Sequence, residues 1–153
     1  MTRLYLCFVL LCSTSSALAS LCVTADGVSL HTGPGNKYPV SWKVSKYTPL
    51  AEIKGSGGWI EVEDMDGEHH WIYGSHVTRR LVCVSVRTNT AKLRKAAGPQ
   101  AELADIKQVD RYTSFKRVDS QDEWYEVEAS WGETYWINES MVWRPLKISK
   151  LSF

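Results

Sequence analysis

The fold is decided by a stretch that occurs twice, as Trp-Ile-Glu-Val-Glu-Asp-Met-Asp-Gly at residues 59–67 and as Trp-Tyr-Glu-Val-Glu-Ala-Ser-Trp-Gly at residues 124–132. In each copy apolar and polar side chains alternate over the first part, which is the period of a β-strand with one buried face. The residues that follow are typical of a tight turn. A second apolar run then contains Trp71 in one copy and Trp136 in the other. Each copy therefore predicts a β-hairpin.

The similarity between the two copies extends beyond the hairpins. A shift of sixty-five residues places Tyr47-Thr48 on Tyr112-Thr113, Val77 on Val142, and Gly33-Pro34 on Gly98-Pro99. Nearer the N-terminus the shift is smaller, sixty-one residues when Cys22 is matched with Cys83, which predicts a length difference in an early loop. An internal repeat of this kind indicates two copies of one small fold.

The remaining pattern is that of an all-β protein. Residues 74–77 and 138–142 each predict one helical turn before a short last strand, and no longer helical periodicity occurs. The fold class is therefore all-β, with two tandem small antiparallel barrels, and barrels of this size have no room for an interior cofactor. We expect no cofactor.

The N-terminus has the features of a secretory signal peptide. Arg3 precedes an apolar stretch, and the triplet Ala17-Leu18-Ala19 suits signal peptidase. The apolar stretch is too short to span a bilayer, so no stable membrane insertion is expected. The prediction is a signal peptide at 1–19 cleaved after Ala19, domain 1 at 20–82, domain 2 at 83–153, and a periplasmic or secreted location.

The charges argue against an anionic polymer as the partner. The chain has 18 Lys and Arg residues against 17 Asp and Glu residues, and no long run has one sign. A surface of this kind is not built for nucleic acid or for an acidic membrane.

Removal of the signal peptide leaves two cysteines, Cys22 and Cys83. Two thiols in an oxidising compartment are usually paired, so a Cys22–Cys83 disulfide is predicted between the first strands of the two barrels. The alternative is a pair of buried, reduced thiols that behave as small hydrophobic groups.

Several motifs resemble the bacterial SH3-like (SH3b) family, in particular its exported members with two such domains. They are Leu30-His31-Thr32-Gly33-Pro34-Gly35, Tyr38-Pro39-Val40, Gly58-Trp59-Ile60-Glu61-Val62, and Asp66-Gly67 before Trp71-Ile72. The resemblance implies that the two barrels are SH3-like, and that the chain is a binding or targeting module whose partner is peptidoglycan or an envelope protein. The family usually has Arg where this chain has His31, whereas the second copy retains Arg94.

Alternation along the repeated strand also predicts the binding residues. It directs Ile60 and Val62 inward and places Trp59 on the outer face, and the second copy follows the same rule. The predicted ligand-binding set is Trp59, Glu61, Glu63, Trp124, Glu126, Glu128, His31 and Arg94. The carboxylates would favour a cationic partner, such as the amine of a stem peptide or a basic protein segment.

Two other interpretations are open. The tryptophans could cover a barrel end or the contact between the domains, in a structural adaptor or an oligomerising envelope protein with no small ligand. The chain could also hold a catalytic or metal site, but neither cysteine has a suitable histidine, and the adjacent His69 and His70 point to opposite faces of a strand. We therefore expect no enzyme activity and no metal, and the oligomeric state stays open.

Overall fold

The computed structural model describes residues 20–146, in which β-strands are the dominant element. The predicted signal peptide lies outside these residues. The first half contains β1 (Ser20–Val23), β2 (Val28–His31), β3 (Val40–Val44), β4 (Pro49–Ser56), β5 (Trp59–Glu63), β6 (His69–Tyr73) and β7 (Val77–Thr78). The second half contains β8 (Cys83–Val86), β9 (Thr90–Arg94), β10 (Leu103–Asp110), β11 (Ser114–Gln121), β12 (Trp124–Ala129), β13 (Thr134–Asn138) and β14 (Val142–Trp143).

The strands form two separate antiparallel sheets of the same topology. The first has the order β3-β2-β6-β5-β4-β1-β7, and the second has the order β10-β9-β13-β12-β11-β8-β14. Single 3₁₀ turns at Gly74–His76 and Glu139–Met141 precede the last strand of each sheet. The predicted all-β class, consistent with two tandem SH3-like barrels, is confirmed, and so are the two helical turns.

The central hairpins form as the repeated stretch predicts. β5 pairs with β6, and the turn between them closes with a hydrogen bond from the Gly67 N–H to the Asp64 carbonyl at 3.1 Å. Gly67 has a φ of 82°, which a residue without a side chain adopts at little cost. Along β5 the side chains alternate between buried and half-buried, with Ile60 and Val62 in the core and Trp59 outside it, as expected.

Each sheet encloses its own apolar core. Leu21, Leu30, Leu50, Val62 and Ile72 form the centre of the first core and are fully buried. Their counterparts in the second core, Val84, Leu93, Phe115, Val127 and Ile137, are fully buried as well.

Strand pairing corrects the alignment of the two copies at their first strand. Leu21 pairs with Leu50, and Val84 pairs with Phe115, so Leu21 corresponds to Val84. The counterpart of Cys22 is therefore Ser85 and not Cys83, and the match of the two cysteines was wrong. Cys83 corresponds to Ser20, which begins β1 as Cys83 begins β8.

The length difference between the two copies lies in β10 of the second copy and not in the early loop where the sequence predicted it. In the loop after β2 the Tyr38 N–H donates to the Gly35 carbonyl at 3.2 Å, and after β9 the Ala101 N–H donates to the Gly98 carbonyl at 3.2 Å. Gly98 is therefore the counterpart of Gly35 and not of Gly33. The additional residues form an irregularity in β10 between Leu103 and Gln108. A strand irregularity absorbs an insertion because residues left out of the ladder can bulge from the sheet.

A disulfide between Cys22 and Cys83 joins the barrels, with their Cα atoms 5.7 Å apart, and the predicted pairing is confirmed. Both cysteines are fully buried and form a small buried cluster with Tyr47. The Tyr47 hydroxyl donates to Glu128 Oε1 of the second barrel at 3.4 Å.

A second contact between the barrels centres on Asp66. The Tyr112 hydroxyl donates to Asp66 Oδ2 at 2.8 Å, and Arg111 Nη2 donates to Asp66 Oδ1 at 2.7 Å. Both hydrogen bonds lower the pKa of Asp66, and the one from Tyr112 has the larger effect. The carboxylate is thus favoured in its ionised form at the contact.

Candidate functional site

The first candidate site is an aromatic groove on the first barrel, which we call groove one. Trp59 forms its floor, with the His31 ring edge-on at 5.2 Å and the Tyr73 ring tilted at 5.5 Å between centroids. His76, the loop at residues 25–27 and the start of β2 complete a cavity of about 650 Å³. Groove one offers stacking surfaces together with the polar edges of two imidazoles.

Trp59 and Tyr73 meet because they pair directly across the hairpin. Cross-strand neighbours on one face of a sheet lie close enough for aromatic rings to contact. His31 reaches the same place from β2, which pairs with β6 through His31 and Trp71. The β5–β6 hairpin and the more distant strand β2 thus position one aromatic cluster together.

His31 also holds the loop that borders groove one. Its Nδ1 lies 2.8 Å from the Tyr38 carbonyl oxygen, which can only accept, so Nδ1 carries the proton. The other ring nitrogen, Nε2, is left as an acceptor when the imidazole is neutral. The His31 side chain is buried because it lies between the loop that it bonds and the Trp59 ring that it contacts.

The second barrel has a matching groove of different chemistry, which we call groove two. Trp124 lies there with the Arg94 guanidinium 5.9 Å from its ring centroid. Asn138 pairs with Trp124 and stands where Tyr73 stands in groove one. The cavity is about 500 Å³ and is bordered by Glu123, Glu139 and Met141. Groove two is therefore more polar and carries a fixed positive charge.

The structure brings each tryptophan together with its basic partner but not with the predicted carboxylates. Glu61 lies 3.4 Å from Lys54 Nζ and 3.4 Å from the His69 ring, and Glu63 lies 3.3 Å from the same ring. These groups follow Trp59 along the outer face of β5 and do not line groove one. Asp26 is the carboxylate that lines it.

The carboxylates of the second barrel are likewise separate from groove two. Glu128 pairs with Lys116 at 3.1 Å and accepts from Tyr47, so it belongs to the contact between the barrels. Glu126 lies on the outer face of β12 opposite Trp136 and does not border groove two.

Sequence reasoning did not identify Tyr73, His76 and Asn138. Tyr73 and Asn138 end the second strand of each hairpin, and the hairpin register is the signal that pairs them with the tryptophans. His76 follows in the 3₁₀ turn, where its ring lies 6.2 Å from Tyr73. Its placement depends on how that turn folds back over the barrel end.

His69 and His70 are separated as expected for neighbours on a strand. His70 is buried, with Nδ1 2.7 Å from the Ser41 hydroxyl and Nε2 2.9 Å from Asp64 Oδ2. His69 is exposed and faces Glu61 and Glu63. Within residues 20–146 no group of three or more His, Cys, Asp or Glu side chains has the arrangement of a metal site.

Each half has the geometry of one class of domain: a small antiparallel β-barrel that carries a groove with a tryptophan. Residues 24–78 match the family model of the bacterial SH3 domain. The predicted resemblance to this family is confirmed for this part of the chain.

Curated relatives match a similar part of the chain. The probable cell wall amidase LytH of Staphylococcus aureus is 40% identical over 75 residues, which cover 48% of this chain and 25% of the relative. The protein from strain USA300 matches to the same extent. The chain thus spans about a quarter of the length of these relatives.

Among solved structures, the chain matches NlpC1 from Trichomonas vaginalis at 14% identity and a TM-score of 0.35, over 90% of this chain and 50% of that one. The endolysin LysPBC5 CBD matches at 18% identity and a TM-score of 0.32, over 82% of this chain and 93% of that one. In the part of the chain that the structure describes, no helix has the length and apolar character needed to cross a membrane.

Proposed function

We propose that this protein is a non-catalytic binding module for a cell-envelope ligand, and that grooves one and two hold a peptide of peptidoglycan or a segment of an envelope protein. The observation that carries the proposal is the Trp59 cluster, an indole flanked by two further rings in an open groove. A bacterial SH3 domain and a relative described as a cell wall amidase support the envelope as the place of action.

Position in the barrel supports a binding role for the two tryptophans. Each packs against side chains of its own barrel, whereas the contact between the barrels is made by other residues, among them Tyr47, Asp66 and Glu128. A half-buried tryptophan beside a polar rim is the usual energetic centre of a binding surface. The two sites are expected to differ because His31 in groove one is replaced by Arg94 in groove two.

The predicted carboxylates belong to this proposal as an outer rim. Glu61, Glu63 and Glu126 lie on the outer faces of β5 and β12 beyond the grooves, whereas Glu128 of the same face is engaged at the contact between the barrels. Asp26 and Glu123 line the grooves themselves. A ligand that carries an amine, such as the side chain of a diaminopimelate or lysine stem peptide, suits such a rim. Added salt should weaken its binding, because Asp26 and Glu123, the carboxylates beside the tryptophans, are exposed to solvent.

Sedimentation of the purified protein with purified peptidoglycan tests the proposal. Trp59→Ala and Trp124→Ala should each lower the affinity of the site concerned by about thirtyfold, equivalent to about 2 kcal/mol. Trp131→Ala is the matched control, since Trp131 is exposed and lies in neither groove.

Circular dichroism and an intact disulfide would show that the variants are folded. Unchanged sedimentation of both groove variants would contradict binding through the tryptophans and favour a structural adaptor. Release of wall fragments by the wild-type protein would contradict the non-catalytic assignment.

Two further points belong to the proposal: the protein is exported, and the exported part consists of two domains. We propose a signal peptide at 1–19, one domain at 20–82 and a second at 83–153, with a periplasmic or secreted location. Intact mass of the exported protein would test cleavage after Ala19, and an uncleaved Met1 or a lipid on Cys22 would contradict it.

A further inference from the structure

We propose that the cleft between the two barrels is a second binding site, which takes an extended and positively charged segment of a partner polypeptide. The cleft has a volume of about 820 Å³ and shares no lining residue with groove one or groove two. Strand β3 forms one wall, the turn between β5 and β6 forms another, and Tyr112 reaches in from the second barrel.

The cleft exposes an aromatic pair that neither barrel could make alone. Trp42 of β3 is 54% exposed and Tyr112 is 47% exposed, and their ring centroids are 6.5 Å apart. Large exposed rings that adjoin across a domain boundary are typical of recognition surfaces, because they supply contact area at a low entropic cost.

The pair is held in place before any partner arrives. Tyr112 donates to Asp66 of the first barrel at 2.8 Å, and Arg111 pairs with the same carboxylate at 2.7 Å. The Cys22–Cys83 disulfide limits movement of one barrel against the other. A preformed cleft loses less ordering entropy on binding than a mobile one.

An extended polypeptide suits the cleft because β3 is an edge strand. It is the terminal strand of its sheet, and within residues 20–146 it pairs with β2 alone. Residues Ser41 to Ser45, which comprise most of β3 and the next residue, line the cleft. An edge strand presents unpaired backbone groups to which a partner segment can add as a further strand.

The charges of the lining select a basic segment. Asp64, Asp66 and Glu68 all lie on the turn side of the cleft, whereas Lys43 is the lysine that lines it. Asp64 contacts His70 and Asp66 contacts Arg111, and Glu68 makes no ion pair with the described residues. Glu68 is therefore placed to accept a Lys or Arg side chain of the partner.

A bead-bound library of random octapeptides tests this inference with the purified protein. We expect enrichment of peptides with Lys or Arg at alternate positions, since alternate side chains of an added strand face the same side. Trp42→Ala should weaken binding of the enriched peptides at least tenfold, whereas Trp131→Ala, at an exposed tryptophan that lines neither the cleft nor either groove, should leave it unchanged. No enrichment over blank beads, or equal binding by Trp42→Ala, would overturn the inference.

The charge preference has its own test. Glu68→Gln should reduce the enrichment of basic residues, whereas Glu102→Gln, an exposed carboxylate of the second barrel outside the cleft, should not. An identical basic preference in both variants would contradict the inference. Peptidoglycan sedimentation that needs Trp42, or a dimer lost in Trp42→Ala, would instead assign the cleft to the wall polymer or to a second copy of this chain.

Discussion

At the scale of single residues, two chemically different side chains perform the same task in the two barrels. His31 Nδ1 bonds to the Tyr38 carbonyl at 2.8 Å, and Arg94 Nη1 bonds to the Ala101 carbonyl at 2.7 Å. Each ring or guanidinium then lies beside the tryptophan of its barrel. The change from Arg to His therefore preserves the loop bond and alters the charge at the groove.

This equivalence predicts unequal effects of two substitutions at one position. His31→Ala should lower the free energy of unfolding by about 1–3 kcal/mol, because the Tyr38 carbonyl loses its partner in a half-buried place. His31→Arg should lower it less, since Arg makes the same bond in the second barrel. Urea unfolding measures both values, and equal losses would show that His31 stabilises the barrel by other means.

At the scale of elements, the hairpin of the first barrel contains a polar network that the second barrel lacks. Asp64 Oδ1 accepts from the N–H groups of Asp66 and Glu68, both at 2.9 Å, and Oδ2 lies 2.9 Å from His70 Nε2. Strand pairing gives Tyr135 as the counterpart of His70. Since Ala129 replaces Asp64 there, the hairpin fold itself does not require the carboxylate.

We therefore expect a strong coupling between Asp64 and His70. Asp64→Ala should destabilise the protein by about 2 kcal/mol, because the buried His70 Nε2 is left without a partner. Adding His70→Tyr should recover part of this loss, as the second barrel combines Ala with Tyr. A double-mutant cycle of unfolding free energies measures the coupling, and simple additivity of the two changes would contradict it.

At the scale of the whole molecule, the two barrels are held together by one covalent bond and a few polar contacts. The Cys22–Cys83 bond lies beside Tyr47, and the Asp66 cluster forms a separate contact. The disulfide and the Asp66 cluster together set the shape of the cleft between the barrels. Relative orientation is thus a property of the connected pair and not of either barrel.

Removal of the disulfide should loosen this arrangement. Cys22→Ser with Cys83→Ser opens a loop of 61 residues, which the chain-entropy treatment equates with about 4 kcal/mol of stability. Thermal unfolding measures the loss, and small-angle scattering measures the spread of orientations. An unchanged scattering profile would show that the polar contacts alone fix the barrels.

Acid should weaken the second contact. The hydrogen bonds from Tyr112 and Arg111 lower the pKa of Asp66, so their stabilisation is complete above the unfolded pKa of about 3.9. It is lost as the pH falls through the lower folded pKa. The chemical shifts of Tyr112 should report this loss, and Asp66→Asn should abolish the transition. A Tyr112 titration that persists in Asp66→Asn would contradict the assignment.

The sequence by itself determined the local structure of this protein. Alternation places Ile60 and Val62 inside and Trp59 outside, and the turn residues end each strand, because both effects depend on neighbours in the chain. The repeat predicted two similar barrels. The disulfide also followed, since the chain after residue 19 offers two thiols, Cys22 and Cys83, and thus one possible pair.

Only the tertiary structure decided which side chains meet. Tyr73 joins Trp59 through the hairpin register, Glu128 turns to the contact between the barrels, and Trp42 meets Tyr112 across it. Alternation specifies the face of a strand but not the partner across a ladder or on another domain. Those partners depend on register, bulges and the docking of the barrels, which distant parts of the chain set together.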